Sequence, residues 1–142
     1  MRWIGSFQLR SYLLKSIDPK QVWPPEANGV YLISRNSWNE QPDQKSGVLY
    51  LGSNTGMSSR FRTRIGDLVA DMLGFYCEET GHSSGGISLH KYCCEKMINP
   101  LDLFIGWKIE CPCVRCEKNS LYDQLKPELN KKRPSRCKNH TK

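Results

Sequence analysis

Two short apolar runs, Gly29-Val30-Tyr31-Leu32-Ile33 and Val48-Leu49-Tyr50-Leu51-Gly52, interrupt an otherwise polar stretch of chain. Both are rich in β-branched and aromatic residues and bounded by turn formers, Asn28-Gly29 before the first and Gly52-Ser53-Asn54 after the second, so they predict strands over about 29–34 and 47–52. The polar connection Ser34 to Gly47 suits a long hairpin loop between antiparallel strands. Upstream, Trp3, Ile4, Phe7, Leu9, Tyr12, Leu13, Leu14 and Ile17 fall mostly at helical spacing and Asp18-Pro19 ends the run, predicting a short amphipathic helix over Arg2–Ile17. Trp23-Pro24-Pro25 is an extended lead-in to the first strand.

Downstream, Phe61, Ile65, Leu68, Val69, Met72 and Leu73 form a helical stripe within Met57–Phe75, closed by Gly74. Arg60 and Arg64, four apart, share one face of that helix. Gly81-His82-Ser83-Ser84-Gly85-Gly86 reads as a small-residue loop, Ile87–Ile98 as a helix stopped by Asn99-Pro100, Leu103–Ile109 as a third strand and Glu117–Leu125 as a last short helix. The pattern predicts an α/β (α+β) chain with a small central three-stranded antiparallel sheet flanked by helices.

A chain of 142 residues has room for one core. The formal net charge of +7 is concentrated at the end, where residues 126–142 carry seven basic side chains against Glu128 alone. Such a local field favours a polyanion, nucleic acid first, although a solvated basic tail has the same composition. No apolar stretch is long enough to span a membrane and the N-terminus lacks the apolar run of a signal peptide, so a cytoplasmic protein without a membrane partner is expected.

Seven cysteines, an odd number without export, argue against a disulfide framework. Cys113-x-x-Cys116 and Cys137-x-x-His140, separated by 20 residues, have spacing that suits a structural Zn²⁺ site, with reduced thiols as the alternative.

Gly29-Val30-Tyr31 and Tyr50-Leu51-Gly52 resemble the two halves of the motif that names the GIY-YIG nuclease superfamily, with Val30 and Leu51 in place of isoleucines. Arg60, eight residues past Gly52, stands where that family carries its helix arginine; Glu117 and, 13 residues on, Asn130 in Pro127-Glu128-Leu129-Asn130 follow in the family's order. The loop with His82 is similar to a histidine-bearing insertion in a branch that includes restriction-type members. The resemblance covers about residues 28–130, leaving 1–27 as an N-terminal helix and lead-in and 131–142 as a basic tail.

It implies a metal-dependent endonuclease acting on double-stranded DNA, and is compatible with a homo-oligomer. Phosphodiester hydrolysis needs an oriented water, positive charge on the phosphate and an ion at the leaving oxygen. Tyr31 is the base or orienter of the water, assisted by Tyr50 and His82; Arg60 grips the phosphate. Glu117 holds Mg²⁺ (or Mn²⁺), which takes only one or two protein carboxylates. Asn130 helps shape the site, and Arg62, Arg64, Lys131, Lys132 and Arg133 hold the DNA backbone. A tyrosine titrates near 10, so base duty requires nearby positive charge. Each residue has a plainer use, as rim tyrosine, solvated arginine, loop histidine, first-turn carboxylate or turn former, and the joint pattern is what favours the site. The alternative on the same fold is a non-catalytic nucleic-acid-binding module.

Overall fold

Every residue of the strand Gly29–Ser34 (β2) is buried, because it has a hydrogen-bonded strand on each side and helices on each face. The structure is a computed structural model and describes residues 2–14, 27–54, 61–74, 83–130 and 132–135. In chain order it holds β1 (Trp3–Gln8), α1 (Leu9–Leu14), β2, β3 (Val48–Asn54), α2 (Phe61–Met72), α3 (Ser84–Lys96), β4 (Phe104–Ile109) and α4 (Val114–Leu125). Among the described residues no helix is long and apolar enough to cross a membrane.

The architecture is α+β, but the antiparallel sheet has four strands, ordered β1-β4-β2-β3, rather than the three expected. The added strand comes from the segment whose spacing predicts a helix over Arg2–Ile17. Trp3, Ile4 and Phe7 satisfy helical spacing, yet only Leu9–Leu14 is helical in the described part. Long-range pairing of Trp3 with Lys108 and Phe7 with Ile105 overrides the local preference. Gly5, at φ 128°, supplies the irregularity between Ile4 and Phe7, and a Cβ there would stand 2.9 Å from the Gly106 Cα, so the close approach of β1 to β4 depends on it.

One face of the sheet presents Tyr31, Ile33, Leu49, Ile105 and Trp107 to Phe61, Ile65, Leu68 and Met72 of α2 and to Leu89 and Tyr92 of α3. The other presents Val30, Leu32, Val48 and Leu51 to Val114, Leu121 and Leu125 of α4 and to Trp38 from the hairpin loop. That loop is ordered. Ser6 Oγ donates to the Trp38 carbonyl at 3.1 Å and accepts from its N–H at 3.0 Å, and Asp43 caps the turn Gln44–Ser46 through the N–H groups of Lys45 and Ser46 at 2.9 and 3.1 Å. The outer edge of β3 is lined by the chain after α4, where Glu128 and Leu129 N–H donate to the carbonyls of Val48 and Leu49 at 3.1 and 2.7 Å.

Two helices begin earlier than the spacing predicts. Ser84-Gly85-Gly86 is the first turn of α3, not loop, because Ser83 caps it with Oγ accepting from Gly86 N–H at 3.1 Å and the buried Asp71 carboxylate accepts the Ser83 N–H at 2.5 Å. The glycines serve packing, since a Cβ on Gly86 would lie 2.6 Å from the Leu68 carbonyl oxygen of α2. α4 starts at Val114, so Glu117 lies in its first turn rather than opening it, and Cys113 is the cap, its Sγ accepting from Cys116 N–H at 3.4 Å.

Candidate functional site

Tyr31 and Tyr50 share a sheet face because of the β2–β3 register, in which Tyr31 lies opposite Gly52 and Ile33 opposite Tyr50. On its other side Tyr31 is paired with Trp107. With Trp107 filling the β4 side, the phenol leans over β3, where a Cβ on Gly52 would be 2.4 Å from its Cε2 and Cζ. Phe61, the first residue of α2, packs edge-on against the ring at 5.7 Å. Tyr50 makes the same use of a missing side chain, its ring lying over Gly85, where a Cβ would come 2.4 Å from Cζ. Two glycines on different elements thus hold the two phenols.

Tyr31 is 5% exposed and Tyr50 half-buried. Burial raises the Tyr31 pKa well above the ordinary tyrosine value; Tyr50 adds to the rise, the Arg64 charge opposes it and Asp67 adds again. Tyr50 is raised by burial against the opposing pull of Arg64. Both hydroxyls therefore stay protonated at neutral pH and are donors. The folded state favours the neutral phenols, so the stability this provides is complete below the unfolded tyrosine pKa near 10 and is lost as pH rises above it toward the raised folded values. Alkaline unfolding followed by circular dichroism is expected to be shallower with pH in Tyr31→Phe and Tyr50→Phe than in the parent; an unchanged pH dependence would contradict the burial of these hydroxyls.

Arg64 is the described arginine whose charge acts on both tyrosines, whereas Arg60 lies outside the described residues. The Lys118 pKa is lowered first by burial and then by the Arg64 charge. Lys118 was not legible in sequence, because nothing local separates it from other helix lysines. Arg62 is exposed on the same helix. His82 lies outside the described residues.

Glu117 is on the opposite side of the sheet from the tyrosines. Lys108, opposite Val30 and Trp3 in the register, shares their face, and its Nζ donates to Glu117 Oε1 at 2.8 Å with the two side chains 19% and 26% exposed. The alternation of Trp107 and Ile109 in β4 puts Lys108 on the opposite face without saying which helix it meets. Tyr31, Tyr50 and Arg64 are thus brought together, while Glu117 and Lys108 form a second group beneath the sheet. The Arg64 charge also acts on Lys118, next to Glu117 in sequence.

Asn130 is spent on the backbone. Its Oδ1 accepts from Leu51 N–H and its Nδ2 donates to Leu51 O, both at 2.8 Å, so the amide completes the row begun by Glu128 and Leu129 along β3. Next to Gly52, it fixes the strand that carries Tyr50. Asn130→Ala leaves both backbone groups without partners and is expected to cost about 1–3 kcal/mol in urea unfolding; a loss too small to measure would remove this role.

The described start of the basic tail folds onto α4. Arg133 pairs with both oxygens of Asp123 at 2.5 and 2.7 Å and stands 5.7 Å from the Tyr122 ring centroid, and Asn119 Nδ2 donates to Ser135 O at 2.9 Å. Lys132 is exposed, and Lys131 is outside the described residues. So are Cys137 and His140, and with them half of the expected Zn²⁺ set; Cys113 and Cys116 are partly buried. Among the described residues no three His, Cys, Asp or Glu side chains are grouped to hold a metal. Comparison of the chain with protein-family models, with curated proteins and with solved structures finds no match.

Proposed function

We propose that the chain is a Mg²⁺- or Mn²⁺-dependent DNA endonuclease of GIY-YIG type. The observation that carries this reading is the register itself: the two halves of the motif lie opposite each other, Tyr31 against Gly52, with both phenols on one face under the charge of Arg64. The GIY-YIG fold and the DNA substrate belong to the proposal.

Glu117 fits a hard divalent ion in donor type and access. One carboxylate suffices for an ion that keeps most of its waters, and among the described residues only Oε1 has a partner, Lys108. An ion held there would supply charge stabilisation to a leaving oxygen reaching the α4 side of the sheet, across from the tyrosines. The protein's own groups do the rest. Arg64 presents guanidinium donors to the nonbridging oxygens, the role the resemblance gives to Arg60. Tyr31 and Tyr50, held protonated by burial, donate hydrogen bonds that orient phosphate or water, so the orienting role is theirs and the base role is not. Lys118 and Lys108 extend positive charge to the α4 side, where the DNA backbone would be drawn with a steep dependence on salt.

The non-catalytic binding module is favoured by one observation, the placement of Glu117 across the sheet and in a salt bridge with Lys108. Plasmid nicking with Mg²⁺ or Mn²⁺ separates the two readings: the nuclease cleaves above its Glu117→Gln control, whereas the module binds DNA in a salt-sensitive way without cutting it.

A further inference from the structure

A cavity of about 510 Å³ opens beside Lys108, lined by Arg2, Trp3, Glu40, Gln41 and Lys108. Its volume falls in the range of about 300–1,000 Å³ usual for small-ligand sites. Its walls are built, not incidental. Trp3 is half-buried and braced edge-on by Trp38, ring centroids 5.7 Å apart at 75°. Trp38 is itself fixed, lying over Gly106, where a Cβ would come 2.3 Å from its Cζ2, and bonded through its backbone to Ser6 Oγ. The loop carrying Glu40 and Gln41 is therefore stapled to β1. Glu40 takes φ 53°, a left-handed conformation unusual for a residue with a Cβ, within a tight turn closed by Gln41 N–H on Asn39 O.

The lining combines one aromatic face, two cations and two side chains able to read the edge of a polar heterocycle. We infer that this cavity binds a single unstacked nucleotide. The base stacks on Trp3, as bases do on aromatic platforms in single-strand sites. Glu40 accepts from an exocyclic amino group, and Gln41 offers both a donor and an acceptor. Arg2 and Lys108 take the phosphate; the Lys108 ammonium has three donors and spends one on Glu117. Since thymine has no exocyclic amine, it is the base least suited to Glu40.

The cavity shares Lys108 with Glu117. Resting here on the nuclease reading, the substrate is DNA with an unpaired nucleotide beside the bond that is cut, such as a bulge, branch or single-stranded end. Nucleotide binding itself does not depend on that reading.

Isothermal titration of the full chain with dCMP, dTMP and inorganic phosphate tests the inference. The expected order is dCMP tightest, then dTMP, then phosphate. Trp3→Ala should weaken dCMP about tenfold or more while Trp3→Phe stays within about threefold. Because Trp3 also packs on Trp38, the exposed-side variants Glu40→Gln and Arg2→Ala are read alongside: Glu40→Gln should narrow the difference between dCMP and dTMP, and Arg2→Ala should weaken both. If dCMP binds no better than phosphate, or neither Glu40→Gln nor Trp3→Phe/Ala behaves as stated in folded protein, the inference is overturned. Binding in this order by a protein that cuts no DNA upholds the nucleotide site and removes the nuclease reading. Cleavage of a bulged duplex no faster than of a fully paired one, with dCMP still bound in this order, retains the site and removes only its link to the cut.

Discussion

Glu117→Gln is expected to lower DNA cleavage by about two to three orders of magnitude, the loss typical of removing one preorganised electrostatic stabiliser. Glutamine keeps the volume and a hydrogen-bonding oxygen for Lys108 but removes the charge that would hold the cation. DNA affinity should be unchanged or slightly higher, because a negative charge leaves a surface shared with Lys108 and Lys118. Nicking rates and filter binding on one preparation provide the check. Equal cleavage by parent and variant would end the assignment of Glu117 and with it the metal-dependent reading; loss of binding in parallel would point to damaged folding instead, which a melting curve reveals.

The second large effect concerns Gly52. A methyl group there would meet Cε2 and Cζ of Tyr31 at 2.4 Å. These atoms are at the end of a side chain, and such clashes are cheap when the side chain can swing away. Tyr31 cannot, being 5% exposed with Phe61 against its ring and Trp107 on the neighbouring strand. Gly52→Ala is therefore expected to cost about 1–3 kcal/mol as overpacking, measured by urea unfolding. The cause is isolated by a double-mutant cycle: in a Tyr31→Ala background, itself destabilised by about 3–5 kcal/mol, the added methyl should cost little, giving strong coupling. Additive effects would show that Gly52 is needed for something other than the tyrosine ring.

What the sequence disclosed follows from the range of the interactions involved. β2, β3 and β4 were legible because each is a short apolar run between turn formers, and the shared face of Tyr31 and Tyr50 follows from pairing two such runs. β1 was not, because Trp3, Ile4 and Phe7 meet helical spacing equally well and the deciding partner, β4, is about a hundred residues away. The early start of α3 was hidden by Gly85-Gly86, glycines that look like loop but are demanded by the ring of Tyr50 and the backbone of α2. The order of motif residues along the chain also does not say on which side of a sheet each arrives. Glu117 follows the tyrosines as the resemblance requires, yet α4 packs on the face opposite theirs. Lys108 and Lys118 acquire their significance only from that placement.

The backbone row from Glu128 to Asn130 has a consequence for the chain as a whole. Strands at the rim of a sheet are templates for other copies of the protein, and β3 is such a strand, apolar and long. By bonding Val48, Leu49 and Leu51, those three residues occupy the template. Damage to this short segment would leave the four strands intact in composition and still turn the molecule toward self-association, so the residues just before the basic tail guard the rim of the sheet.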